Sequence, residues 1–436
     1  MRSCLALIAA WGNGFALCCA LFFLLSLASF NSHQRQDEIR SHLVEGLHEL
    51  TTASRDAWTD CLAVSGAVAP TQTPIGYMLS PKVFLGTAFE SPCSQLTNYI
   101  SGNAQSEFQN YARYGLGSVH LANIFLSKFD LSIVRDMYKW ILVASFVLFA
   151  VVGFRINRSI GTAFAMASFG MFSGVGINAF GGHLGHSPTF FIPLIVIVLF
   201  VAKPLKISGT GNAVFFGSVI GALTWYFDIL SGGIPFTLAL SIFVLGVVRV
   251  NDSESRIACK NLIILIDVIA MTSAYVASVI ALVIIKINAE SVLLQNINVF
   301  ATFKGQLLWR LSSDGIGDVG INAVWLVYQK LLLSSWDVYF FGSTGATTAL
   351  VTGLISWLIA GWYVWCSATT GKADCTTRLN FVIPLFAAMV VPIWFAVFRN
   401  HGFIHAWFMC RVLCVIPAFG FAAAWLSYSG SRTLNR

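Results

Sequence analysis

The sequence predicts an all-α polytopic membrane protein with two long segments outside the bilayer, and three observations predict it. First, 57% of the 436 residues are apolar and 10% are charged, with a mean hydropathy of +0.75, a balance a water-soluble chain of this size rarely reaches. Second, about ten stretches have the length needed to cross a hydrocarbon core roughly 30 Å thick at about 1.5 Å per residue. They lie near residues 4–30, 138–154, 160–180, 188–202, 212–230, 233–248, 261–285, 343–366, 380–398 and 408–428. Third, the basic residues alternate between the connections. Arg2, Arg155, Arg158, Lys203, Lys206, Arg249, Arg256, Lys260, Lys372, Arg378, Arg432 and Arg436 all fall on one side if the N-terminus is cytoplasmic. The positive-inside rule then puts both termini in the cytoplasm.

Taken in order, residues 1–30 form the first span. Its apolar run from Cys4 to Phe30 exceeds the roughly 7 to 15 residues of a signal-peptide core, so a retained helix is expected. Residues 31–137 form the first outer segment. Within it Ile39, Leu43, Leu47, Leu50 and Ala57 recur at helical spacing, which predicts an amphipathic helix lying along the membrane surface. The chain turns frequently between Pro70 and Pro92, and a second helix is expected from about Cys93 into Tyr111-Ala112-Arg113-Tyr114. Residues 138–286 supply spans two to seven, residues 287–342 a second outer segment with interfacial helices, and residues 343–436 spans eight to ten. Outer segments of this length are usually functional or folded in their own right, whereas the short cytoplasmic connections leave no room for a soluble catalytic domain.

The formal charge of +7 does not indicate nucleic acid, because the basic residues are scattered singly around apolar segments instead of sharing a face. Most of the ten cysteines lie in or beside helices as small buried hydrophobes. Cys61 and Cys93 fall in the first outer segment, where an oxidising compartment would favour a disulfide; two free buried thiols are the alternative.

All eight histidines, His33, His42, His48, His120, His183, His186, His401 and His405, fall on the predicted outer side. His183 and His186 stand in Gly-Gly-His-Leu-Gly-His-Ser-Pro, and His401 and His405 in Arg-Asn-His-Gly-Phe-Ile-His. Histidines four apart share a helix face and can hold a metal or a phosphate; no His-Glu-x-x-His arrangement accompanies them, which disfavours a zinc protease. Interfacial histidines at helix ends would show the same pattern. Arg399, His401, His405 and Arg411 concentrate cationic donors suited to phosphate oxygens. Asp37, Glu38, Asp56 and Asp60 are the carboxylates tethered to the membrane surface that could serve as a base or a metal-binding acid, although a solvated helix face would also carry them. Asp228 follows Trp225-Tyr226-Phe227 at the end of a span, where a carboxylate is costly. Trp309, Arg310, Asp314, Asp318, Trp336 and Asp337 mix aromatic and charged groups in a way that suits sugar, or an interfacial aromatic belt.

This layout resembles the GT-C superfamily of integral membrane glycosyltransferases: an inside N-terminus, one helix, a long outer segment opening with acidic residues, then a multi-helix bundle. Asp37-Glu38 stands where that superfamily's acidic motif usually lies, with Asp56 and Asp60 further along the same segment; no Asp-x-Asp occurs. Trp58-Thr59-Asp60-Cys61-Leu62, Arg113-Tyr114-Gly115, Thr224-Trp225-Tyr226-Phe227-Asp228 and the stretch from Asn400 to Phe408 look like those of bacterial membrane proteins associated with surface glycans. Arabinosyltransferases that decorate pilins or glycolipids are similar within the superfamily. The resemblance implies a polyprenyl-phosphate-linked sugar donor, a glycan, glycolipid or pilin acceptor, the bacterial inner membrane, and an active site on the periplasmic face. The base would be one of Asp60, Asp37, Glu38 and Asp56, the donor phosphate would meet Arg399, His401, His405 and Arg411, and His183, His186, Asp228, Arg113, Trp309 and Arg310 would bind sugar or acceptor. No cofactor is required by the sequence, and a divalent metal is compatible with it. A transporter or flippase of lipid-linked glycans is the rival expectation, although no internal repeat supports it, and a membrane assembly subunit is a third.

Overall fold

The computed structural model describes residues 2–44, 46, 57–70, 72–86, 90–102, 107–111, 115–202, 209–228, 232–250, 260–295, 298–335, 342–370 and 375–433. The chain is helical almost throughout. Its elements are α1 (Arg2–His33), α2 (Gln36–Val44), α3 (Ala57–Val68), α4 (Pro74–Leu79), β1 (Lys82–Val83), α5 (Pro92–Ile100), β2 (Gln109–Asn110), α6 (Gly117–Leu126), α7 (Leu131–Ile156), α8 (Arg158–Gly174), α9 (Ile177–Phe180) and α10 (Ser187–Ala202). There follow α11 (Thr210–Phe227), α12 (Gly233–Val250), α13 (Lys260–Leu293), α14 (Val299–Leu311), α15 (Gly320–Ser335), α16 (Gly342–Thr369), α17 (Cys375–Val397), α18 (Arg399–Ile404), α19 (Ala406–Met409), a 3₁₀ turn Cys410–Cys414 and α20 (Val415–Thr433).

Among the described residues seven helical segments are long and apolar enough to cross a membrane: Ser3–His33, Leu131–Ile156, Gly233–Val250, Leu262–Leu293, Thr347–Thr369, Thr376–Val397 and Ala406–Ser429. The three other stretches expected to span are also helices, α8, α10 and α11, but shorter or less apolar. The helices pack as a chain of neighbours: α1 on α11, α11 on α13, α12 on α17, α17 and α16 on α20, α20 on α8, α8 on α7 and α7 on α10. Small residues allow the closest of these approaches. A Cβ at Gly217 or Gly221, four residues apart on α11, would meet the carbonyl oxygens of Met271 and Tyr275 on α13, so the two backbones touch along a glycine groove. Asn157 alone separates α7 from α8, and its Oδ1 accepts the Ile160 N–H at 2.8 Å, capping the return helix.

Several boundaries differ from those the hydropathy predicts. α7 begins seven residues before residue 138, and α13 continues past residue 285 to Leu293, so Lys286 and Glu290 lie on the helix. The third stretch breaks at Gly176, whose φ of +75° is a left-handed turn open to glycine, and the chain resumes as α9. The apolar row expected on the membrane surface faces protein at the two positions described, Ile39 and Leu43, both fully buried in the main core; Leu47, Leu50 and the side chain of Ala57 lie outside the described residues. The second expected helix stops at Ile100, and Gln109 pairs instead with Val83, and Asn110 with Lys82, in a two-stranded antiparallel ribbon.

What positions the site is α3. Every residue from Thr59 to Ala69 is buried, as expected of a helix apolar on all sides. The Cys61–Cys93 disulfide, with Cα atoms 5.1 Å apart, fastens it to α5. A buried polar knot fastens the neighbouring segment to the first span: Tyr77 Oη and Ser29 Oγ are 2.8 Å apart, and Asn123 donates to the Ser29 carbonyl at 2.8 Å. Lys286 on α13 donates to the Leu79 carbonyl at 3.1 Å. These bonds tie α3 to α5, and α4 and α6 to the ends of α1 and α13.

Candidate functional site

Asp60 on α3 is fully buried. Its Oδ1 accepts the backbone N–H of Leu184 at 2.7 Å and that of Gly185 at 3.4 Å, both from the turn between α9 and α10. Nδ1 of His183 lies 3.8 Å from the same oxygen. Oδ2 takes no hydrogen bond from the described residues and faces Nε of Arg135 at 3.9 Å. One carboxylate oxygen is thus anchored by backbone amides, and the other faces an arginine. The Tyr138 hydroxyl, buried one helical turn beyond Arg135, is electrostatically close to Asp60 and lacks a hydrogen-bond partner among the described residues.

From Asp60 the polar groups continue as a file. The rings of His183 and His186 are 5.9 Å apart. Phe408 packs between His186, at 5.1 Å, and His405, at 5.2 Å, and His405 lies 4.7 Å from His401. Arg411, almost wholly buried, stands over the rings of Phe180 and Phe190 at 5.0 and 4.5 Å; such cation–π contacts compensate part of the desolvation of a guanidinium. Arg310, also buried, and Lys330 close the far end around His405.

Burial, reinforced by these cations, lowers the pKa of His183, His186 and His405. His183 is held below its usual value first by burial; Asp60 opposes that shift, and Arg135 and Arg411 reinforce it. Burial, then Arg411, His183 and His405, push His186 well down. Burial, then Arg310 and Lys330, lower His405 to about 4. The region thus gathers Arg135, Arg411 and Arg310 around imidazoles whose protonated form is disfavoured by burial.

Beside it opens a cavity of about 660 Å³ whose walls come from α11, α12, α13, α14 and α17. It is apolar along its length and polar where Asp228 and Arg310 meet it, with Trp225 and Trp394 in the lining. Asp228 is buried, and its Oδ2 accepts the Ile234 N–H at 3.2 Å. Asn400 ties this wall to the histidine segment: Oδ1 accepts the Gly315 N–H at 3.0 Å and Nδ2 donates to the Trp309 carbonyl at 2.8 Å.

The fold therefore brings Asp60, His183, His186, His401, His405, Arg411 and Arg310 together from four separated parts of the sequence, with Asp228 and Trp309 alongside. It does not bring in the other acids. Asp37 and Glu38 sit on the exposed side of α2, where Glu38 pairs with Arg35 at 2.6 Å. Arg399 heads α18, partly buried. Asp56, Arg113, Trp336 and Asp337 lie outside the described residues. Arg135, Tyr138, Lys330 and Asn400 were not singled out by the sequence reading. Arg135 and Tyr138, three apart, share a helix face, a signal hidden because the hydropathy starts α7 only at residue 138. Among the described residues no three His, Cys, Asp or Glu side chains meet as a metal site, and Asp60, with an arginine at its second oxygen, is a poor start for one.

No protein family, characterised protein or solved structure matches the chain.

Proposed function

We propose that this chain is a membrane glycosyltransferase of the GT-C kind, moving a sugar from a polyprenyl-phosphate donor to an acceptor hydroxyl or amide on a surface glycan, glycolipid or pilin. The observation that carries the reading is Asp60: a buried carboxylate with one oxygen anchored by backbone amides and the other turned to a cationic site that adjoins a lipid-sized apolar cavity. The isoprenoid chain lies in that cavity, and its phosphate meets Arg310, His405 and Arg411, with His401 and Arg399 further along the same segment. Oδ2 of Asp60 takes the acceptor proton as the acceptor oxygen or nitrogen bonds to the anomeric carbon. The bond from that carbon to the phosphate oxygen breaks, and its electron pair leaves with the lipid phosphate, whose charge the cations stabilise. Direct displacement inverts the anomeric centre. His183 and Tyr138 border the space the sugar occupies.

Seven helices long and apolar enough to cross a membrane support a multi-pass protein, and the likeness to the GT-C superfamily and the positive-inside pattern favour the bacterial inner membrane with an inside N-terminus. With the ten expected spans both termini are then cytoplasmic and the site periplasmic. A second reading, a flippase for lipid-linked glycans, draws on two ion pairs inside the spans, Arg249 with Asp267 and Lys286 with Glu290 at 3.3 Å, since such groups often mark transport paths.

The test uses the purified protein in nanodiscs with a panel of polyprenyl-phosphate sugars and bare polyprenyl phosphate. Selective stabilisation by one sugar-bearing lipid, weakened by Arg411→Gln and accompanied by release of polyprenyl phosphate when acceptor is added, supports the transferase. Transbilayer movement of the intact lipid without any sugar transfer overturns it in favour of the flippase.

A further inference from the structure

α15 presents two apolar rows where one would suffice to dock it. Ala323, Val327, Leu331 and Ser335 are buried at steps of four and seat the helix on the protein. On the opposite side, about 200° away at roughly 100° per residue, Ile321 is 79% exposed and Trp325 61%, and Leu332 continues the row. Val319, just ahead of the helix, is 76% exposed, and Phe300 on α14 62%. A helix with apolar residues on both faces is covered on both faces.

The neighbouring surfaces identify what covers the second face. The exposed apolar residues Ile285, Val292 and Leu293, none of them in the cavity wall, run up α13 toward α14, and Phe386 and Met389 are exposed in the same way on α17. The 660 Å³ cavity has these two spans and α14 as common walls. The outer face of α14 and α15 thus continues the lipid-facing surface of the spans. Trp325 supplies an aromatic group of the kind that settles at a headgroup boundary.

We propose that α14 and α15 form a lid embedded in the lipid leaflet, its outer row of Phe300, Val319, Ile321, Trp325 and Leu332 inserted among acyl chains and its inner side closing the cavity at Arg310. The membrane seat stands independently of sugar transfer; the part in which the lid admits a lipid substrate rests on the reading given above. Asn400 is the latch. Its two hydrogen bonds hold the turn between the helices, and the next residue, His401, begins the histidine file, so the lid's position and the cationic site move together. Gly315 leaves room for this contact: a Cβ there would come within 2.5 Å of Asn400 Oδ1.

Benzoylphenylalanine placed one position at a time at Ile321, Trp325, Asp314 and Asp318, in the full chain in phosphatidylethanolamine–phosphatidylglycerol nanodiscs, tests the seat. Photolysis is expected to attach phospholipid at Ile321 and Trp325 and not at the two acids of the turn. Failure to capture lipid at Ile321 and Trp325, or equal capture at all four, overturns the proposal whether or not the protein transfers sugar. Hydrogen exchange tests the latch. Asn400→Leu is expected to speed exchange of the amides at residues 309–317 roughly ten-fold, the effect of losing one or two net hydrogen bonds, while the amides of α17 and α20 stay protected. Unchanged exchange at residues 309–317, with the rest of the protein folded, rules Asn400 out as the latch.

Discussion

Replacing Asp60 separates its two roles, as an anchor for the turn at residues 184–185 and as a carboxylate facing the cationic site. Asp60→Ala leaves the Leu184 and Gly185 amides without the acceptor they now have at 2.7 and 3.4 Å, and removes the charge 3.9 Å from Arg135. An orphaned buried donor costs about 1 to 3 kcal/mol. The longer bond is the weaker, and the Arg135 side chain, 16% exposed, keeps some hydration. The expected loss is therefore about 3 to 5 kcal/mol, the range for breaking a buried pair. Asp60→Asn retains a carbonyl oxygen for both amides and loses only the charge assistance and the arginine, a cost of about 1 to 2 kcal/mol. The amide cannot accept the proton, so transfer should fall about 10²- to 10⁴-fold. Unfolding midpoints in mixed micelles, read beside initial transfer rates in nanodiscs, give both numbers. If Asp60→Asn destabilises as much as Asp60→Ala, the amide anchoring is not what holds this turn. If Asp60→Asn folds and keeps its transfer rate, Asp60 is not the base.

The pH dependence follows from His405, which in the folded protein titrates at about 4 against roughly 6.5 when free. Because the unfolded chain binds the extra proton first, the stability linked to neutral His405 is complete above about pH 6.5 and drains away as the pH falls toward 4; His405→Gln should flatten that part of a stability-versus-pH curve. Reduction of Cys61–Cys93, 32 residues apart, should cost about 3 to 4 kcal/mol by chain entropy and, because Cys61 adjoins Asp60, should lower transfer as well, measurable by comparing thermal midpoints and rates with and without reductant. Lys286→Met alone should destabilise by about 3 to 5 kcal/mol by leaving Glu290 buried and unpaired, and Lys286→Met with Glu290→Leu should restore most of the loss. A double variant as unstable as the single one would mean that the Lys286 bond to Leu79 matters more than the pair, and chemical denaturation of the four proteins of the cycle decides it.

Composition and apolar run lengths were enough to determine that this chain lives in a membrane as helices, because hydrocarbon leaves a backbone no other way to satisfy its hydrogen bonds except a closed barrel. The sequence also pointed to several groups that meet at the site: His183 with His186, His401 with His405, Arg411 and Asp60 were legible as unusual polar residues beside apolar segments. Its boundaries were less informative. Arg135 and Glu290 read as loop residues because charge lowers local hydropathy, yet a helix continues through charged positions wherever packing or a partner compensates them. Hydropathy also could not tell a helix lying on lipid from one sealed in protein, so α3 passed for loop and the row of Ile39 and Leu43 for a membrane face.

Which acid is buried among partners was decided only in three dimensions. Asp37, Glu38 and Asp60 have the same chemistry and stand within one segment, and nothing local ranks them. Tertiary packing ranks them, by burying Asp60 against two backbone amides and an arginine from other helices while leaving Asp37 and Glu38 in the open. A pattern of residue types records what each side chain can do; only the folded chain sets the burial and the neighbours that decide which of them does it.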